Sequence, residues 1–310
     1  MPTPNRPITA LTAAVVIWAT TFVVSADALR ASSPAVLTTA RFALAAATLL
    51  PLAVHRQVPL RTAVRSPAGA FLGLTGVAAY YGLQNLGLLQ TTPGTAALLQ
   101  ALLPIATAGL AVVFLQERLT RPTITGLVLS SVGVALVASA GFRVDLGAVL
   151  IMAGVVSYAC YTVALRRLSD RGQPWTQPLT VATASTLWGA LFLIPWLAEE
   201  IATGHTRWPT TTAADLQTLY LGVVASAGTL LLWSYGATRT PASICGILTA
   251  GIPALGYTFA VLQGEPATWA KTIGGILAIC GIALATTTSS ARTAQQQDAT
   301  ARNDHNSRSH

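Results

Sequence analysis

The sequence predicts an all-α integral membrane protein, with ten transmembrane helices arranged as two inverted five-helix repeats. Three observations lead there. Of 310 residues, 9% are charged and 53% hydrophobic, with a mean hydropathy of +0.59. Soluble domains carry ~25% charge, so this chain has too little to cover a water-facing surface. Ten apolar segments, each near the roughly 20 residues that cross a bilayer as a helix, are separated by short polar breaks. Finally, Gly87, Pro104, Glu117, Gly126 and Gly133 recur as Gly236, Pro253, Glu265, Gly274 and Gly281. The intervals from glycine to proline, glutamate to glycine and glycine to glycine are 17, 9 and 7 in both copies, and only proline to glutamate differs, 13 against 12. Fixed spacing of this kind marks a duplicated structural unit.

The segments fall at 8–26, 34–54, 67–89, 94–115, 123–140, 145–165, 178–198, 214–236, 241–262 and 270–288. The first follows Arg6 and is longer than the 7–15 apolar residues of a signal core. Its Trp18-Ala19-Thr20-Thr21-Phe22 is echoed by Tyr158-Ala159-Cys160-Tyr161-Thr162, so it reads as a retained helix. The second carries Arg41, the one charge well inside a span. The third ends in Tyr80-Tyr81-Gly82-Leu83-Gln84-Asn85, where helical spacing puts Tyr80 with Gln84 and Tyr81 with Asn85 on shared faces. Thr120 before Pro122 reads as the cap of the fifth. Two repeats follow, 1–140 and 141–288. Residues 289–310, polar and without apolar periodicity, are expected to form a disordered cytoplasmic tail.

With the N-terminus inside, 13 basic residues fall on the inner face and 4 on the outer. This positive-inside excess places both termini in the cytoplasm, in the cell (inner) membrane, with an even number of spans. The net charge of +8 therefore reads as topology and excludes a nucleic-acid stripe, since the arginines are scattered singly. Five helices per repeat is an odd number, so the second copy enters the membrane from the opposite side. Such halves have two near-equivalent arrangements around a site between them, which is the geometry of alternating access.

Ala97-Leu98-Leu99-Gln100-Ala101-Leu102-Leu103-Pro104, followed by Phe114-Leu115-Gln116-Glu117-Arg118-Leu119-Thr120 and then Gly126 and Gly133, resembles the EamA-type members of the drug/metabolite transporter superfamily. Pro253, Gln263-Gly264-Glu265, Gly274 and Gly281 repeat the pattern, and Trp18 and Arg41 fit it. The resemblance covers residues from about 8 to 288. It implies a ten-helix exporter or importer of small metabolites working by alternating access; the reading favoured here is export of an amino acid-like, or else drug-like, compound. It also implies a central cavity lined by the first, third, fourth, sixth, eighth and ninth helices. Pro266 after Glu265, where the first copy has Arg118, departs from a shared polar role for the two loops.

The residues expected at the cavity are Trp18, Thr21, Arg41, Tyr80, Tyr81, Gln84, Asn85, Gln100, Ser157, Tyr158, Tyr161, Trp233 and Ser234. Arg41 is costly in hydrocarbon and marks function; it either snorkels or pairs structurally, or it meets a substrate carboxylate or phosphate. The amides and hydroxyls either line a wet cavity or bond between helices, and the aromatics form a cavity wall or pack. Pro104 and Pro253 are expected to kink or hinge their helices. Gly126, Gly133, Gly274 and Gly281 are expected to allow close helix approach. Glu117 and Glu265 read as loop anchors. Cys160, Cys245 and Cys280 read as buried small side chains without metal-ligand spacing. No histidine or mid-span carboxylate is available for an embedded enzyme, and no metal or cofactor is expected. A non-transporting scaffold or receptor remains as the alternative. The partners are a small molecule and the bilayer, with oligomeric state open.

Overall fold

The computed structural model describes residues 6–117, 119–138, 145–237, 239–240 and 242–284. All regular structure among them is helical. The elements are α1 (Arg6–Ala31), α2 (Pro34–His55), α3 (Leu60–Arg65) and α4 (Pro67–Gly73), which runs through a π-helical segment (Leu74–Ala79) into α5 (Tyr80–Leu88). There follow α6 (Pro93–Leu99), α7 (Leu102–Leu115), α8 (Arg121–Ala138), α9 (Leu146–Asp170) and α10 (Pro178–Ala202). Then α11 (Thr212–Leu219) runs through a second π segment (Tyr220–Gly228) into α12 (Thr229–Ala237), before α13 (Ala242–Leu262) and α14 (Trp269–Leu284).

Each predicted apolar segment coincides with helix among the described residues, the fourth with a break at Gln100–Ala101. Six stretches are long and apolar enough to cross a membrane: Arg6–Ala31, Pro34–His55, Pro93–Leu115, Leu146–Asp170, Pro178–Ala202 and Thr212–Ala237. Arg121–Val137, Leu248–Leu262 and Trp269–Leu284 are shorter apolar helices. The predicted tail, 289–310, lies outside the described residues.

Helix starts follow from local chemistry. Proline at the first position of α2, α4, α6 and α10 costs no hydrogen bond there. Thr92, Thr120, Asp145 and Thr211 accept from the amides of Thr95, Thr123, Ala148 and Ala214. Between α6 and α7 the helix is interrupted at Gln100–Ala101. Pro104 has no N–H to give the Gln100 carbonyl, which accepts from Leu103 N at 2.9 Å instead. The Ala101 carbonyl is picked up by Ser130 Oγ of α8 at 3.3 Å. Pro253 lies inside the continuous helix α13.

The principal packing partners join the first half of the chain to the second: α2 with α10, α1 with α12 and α13, α5 and α7 with α9, and α6 with α13. These pairs come in matched sets, so that α1 against α13 has its counterpart in α9 against α7. A core cluster from Phe22, Leu98, Leu99, Ile151, Val155 and Leu221 sits where they meet. The outer surface is apolar, with Val113, Phe114, Val128 and Ile276 more than half exposed, as lipid requires. On that surface the cysteines depart from expectation: Cys280 is exposed, Cys160 and Cys245 half-buried. Polarity alone does not separate a lipid-facing thiol from an interior one.

Contacts between connections define two ends. At the arginine-rich end, Arg166 pairs with Glu117 at 2.8 Å, and Arg61 and Arg65 share a cleft with Gln173 and Trp175. At the opposite end, Glu200 accepts from Ser33 Oγ and, at 3.2 Å, from Ala35 N, while Ser33 N donates to the Arg207 carbonyl.

Candidate functional site

A cavity of about 660 Å³ runs between the two halves. Its mouth is formed by Ser169 and Pro178, both exposed, together with Thr176 and Ala237, all at the arginine-rich end. It ends deep in the bundle at Thr21, Gln84 and Gln100, all buried. Of the predicted set, Trp18, Thr21, Tyr80, Tyr81, Gln84, Gln100, Tyr158, Tyr161, Trp233 and Ser234 line it, and so do Pro104 and Pro253.

The aromatic wall is continuous. Phe42 meets Tyr81 at 4.7 Å between ring centroids, Tyr81 meets Tyr80 edge-on at 4.6 Å, Tyr80 meets Tyr158 at 4.8 Å and Tyr158 meets Tyr161 at 5.1 Å. Trp18 and Trp233, from opposite halves, meet at 5.3 Å. Pairs at these distances favour tilted and edge-on geometry over direct stacking. The backbone makes room for this wall at Gly76, where a Cβ would overlap the Tyr161 ring.

Arg41 does not snorkel. It is 1% exposed, behind Tyr81 and Phe42, with Cζ 4.4 Å from the Tyr81 centroid and 5.5 Å from that of Phe42. Its Nε donates to Ser226 Oγ at 2.9 Å, and Nη1 has no protein partner. Among the described residues no carboxylate pairs with it. Buried polar atoms are nearly always satisfied, yet Gln84 Oε1 and Gln100 Nε2 are also without protein partners, while Tyr80 Oη donates to Gln100 Oε1 at 3.1 Å.

Three predicted residues do not line the cavity: Arg41, which lies behind Tyr81 and Phe42, and Asn85 and Ser157. Asn85 is buried and donates through Nδ2 to Thr38 Oγ1 at 2.8 Å, tying α5 to α2. Ser157 Oγ donates to the Thr75 carbonyl at 3.0 Å, on the first π segment. Sequence reasoning missed Phe42 and Ser226, which brace Arg41, and Tyr220, whose hydroxyl bonds Thr20 at 2.6 Å. Both Ser226 and Tyr220 belong to the second π segment, where ordinary helical spacing misplaces side chains. The glycines lie away from the cavity: a Cβ on Gly133 would overlap Gly274 O, and one on Gly281 would overlap Ser130 N and the Gly126 carbonyl. They form a seam between α8 and α14. Among the described residues no cluster of metal-ligating side chains occurs.

Comparison with known proteins agrees with this geometry. The chain is 31% identical over 287 residues to a probable terminal-alkyne amino-acid exporter of Streptantibioticus cattleyicolor, covering 90% of this chain and 93% of that one. It is 24% identical over 274 residues to an uncharacterized transporter of Archaeoglobus fulgidus, covering 86% and 94%. A crystal structure sharing 22% identity superposes with a TM-score of 0.65, over 92% of this chain and 99% of the other, which speaks to fold alone. The profile of the EamA-like transporter family matches twice, at residues 5–139 and 145–287. The chain belongs to the EamA-like transporter family, within the drug/metabolite transporters.

Proposed function

We propose that this transporter exports a small amino acid-like metabolite across the inner membrane, by alternating access between two inverted five-helix repeats spanning 1–140 and 141–288. The observation that carries this reading is the cavity: it takes its walls from both halves and has its mouth at the arginine-rich end, which the positive-inside rule places in the cytoplasm. Its volume is within the ~300–1,000 Å³ of small-molecule sites. The matched packing pairs support the inverted relation, and the similarity to a protein named as a probable amino-acid exporter supports the cargo class and direction.

In this reading Arg41 is the anion anchor. An unpaired guanidinium in a low-dielectric interior is costly, and a substrate carboxylate approaching past Tyr81 offsets that cost. Gln84 and Gln100 supply the acceptor and donor for the remaining polar groups, and the aromatic wall takes the apolar part. The described cavity lining contains no carboxylate that would serve as a proton relay. Facilitated exchange therefore fits the site. Proteoliposomes loaded with labelled amino acids test this: counterflow of a carboxylate-bearing cargo is the expected result. Its absence across amino acids, nucleosides and dyes, in protein that reconstitutes normally, overturns the reading.

A further inference from the structure

At the end away from the cavity mouth, the carboxylate of Glu265 holds three donors. Oε1 accepts from Thr92 Oγ1 at 2.6 Å and from Lys271 Nζ at 2.7 Å, and Oε2 accepts from Gly94 N at 2.8 Å. Lys271 Nζ also donates to Thr92 Oγ1 at 3.0 Å. The pair is nearly buried, with Lys271 12% and Glu265 6% exposed. This cluster fastens the connection after α13, in the second half, to the start of α6 in the first.

Counted back from the two glutamates, one residue out of the register set by Gly87–Pro104 and Gly236–Pro253, part of that fastening has a mate. Thr92-Pro93-Gly94 recurs as Thr240-Pro241-Ala242, and 25 residues separate Thr92 from Glu117, as 25 separate Thr240 from Glu265. The mate is not engaged here. Glu117 is turned to Arg166 at 2.8 Å with a third of its side chain exposed, and Thr240 Oγ1 is buried without a protein partner. One fastening is closed at the sealed end, and its counterpart is undone at the end with the mouth.

We propose that Glu265 and Glu117 are a matched pair of gate locks, made one at a time during the transport cycle. The proposal rests on the inverted-repeat reading above. With the arginine-rich end open, Glu265 clamps Thr92 and the Gly94 amide. When the opposite end opens, that clamp is lost. Glu117 then leaves Arg166 and accepts from Thr240 Oγ1. Neither carboxylate touches cargo; both are positioning residues that set which end is sealed. The locks are unequal. A Cβ at position 94 would come within 2.7 Å of Glu265 Oε1. The second lock has no counterpart of Lys271, since the residue six positions after Glu117 is Thr123.

Labelling of a cavity thiol tests this without any cargo. In the full chain with Cys160, Cys245 and Cys280 changed to serine, Thr162→Cys sits inside the mouth and reacts with an impermeant maleimide from the arginine-rich side. Glu265→Gln is expected to slow that reaction about tenfold, as charge-assisted bonds at one end are lost. Adding Glu117→Gln is expected to restore it to within about twofold, because the opposing lock is weakened too. Structural damage from both changes would add instead. Unchanged labelling in Glu265→Gln, or a double variant as slow as the single one, overturns the proposal.

A second measurement covers a Glu265→Gln variant lost from the membrane. A short bifunctional maleimide is expected to join Glu117→Cys to Thr240→Cys and abolish labelling at 162; failure to join them overturns the proposal. Because neither readout uses substrate, a wrong choice of cargo class leaves the locks standing.

Discussion

At the scale of single residues, Arg41 is the side chain on which the proposed substrate contact turns. Its guanidinium is held by one hydrogen bond to Ser226 and by the Tyr81 face, with one nitrogen unclaimed. Arg41→Ala is expected to lower efflux of a carboxylate-bearing cargo by about tenfold or more, in line with a lost charge-assisted bond, with normal abundance in the membrane. Arg41→Lys is expected to recover part of it, since lysine keeps the charge but cannot reproduce the planar fork. Undiminished efflux in both variants would remove Arg41 from the site. Gly76→Val tests the aromatic wall: overpacking against Tyr161 is expected to cost about 1–3 kcal/mol, read as a lower Tm in detergent together with lost transport. Arg41 was legible in the sequence because a lone charge inside a span is conspicuous. Its brace Ser226 was not, since a serine in an apolar stretch carries no periodic signal and a π turn shifts its direction. Asn85 was misplaced for a related reason: spacing put it beside Tyr81, but Thr38 on a neighbouring helix captures it.

At the scale of elements, the interruption between α6 and α7 and the two π segments give the cavity its shape. The interruption follows from Pro104, whose missing donor was plain in the sequence; the Ser130 hydroxyl that meets the Ala101 carbonyl was not. Ser130→Ala strands that buried carbonyl, and a loss of about 1 kcal/mol is expected, seen as a modest fall in Tm with transport retained. The π segments recur at corresponding places in the two halves, Leu74–Ala79 and Tyr220–Gly228. No residue type marks a π turn, so helical periodicity predicted ordinary helix through both. The α8–α14 seam behaves differently. Gly281→Leu would drive a side chain into Ser130 and Gly126 backbone, and a stability loss of about 1–3 kcal/mol is expected. Substrate affinity in the surviving protein is expected to be unchanged, because the seam lies off the cavity. A changed affinity would show that the seam shapes the site.

At the scale of the whole molecule, the duplication was readable because intervals between glycines, prolines and glutamates survive when most other letters have diverged, and the family match falls twice on the chain. The open end was not, since both arrangements use the same residues. Thr120→Cys and Thr268→Cys, each in a background without the native thiols, are expected to react with impermeant reagent from opposite sides of the membrane. Reaction of both from one side would end the inverted relation and the transport cycle built on it.

The seam between α8 and α14 constrains how that cycle can run. Where main chain rests on main chain there are no rotamers to rearrange, so the fit is all or nothing. The two helices come from different halves, and they must travel as one strut. The halves therefore cannot part along that line. In the proposed cycle the strut acts as a fulcrum, and the swing is taken up at softer places, the proline-loosened joint and the two widened turns.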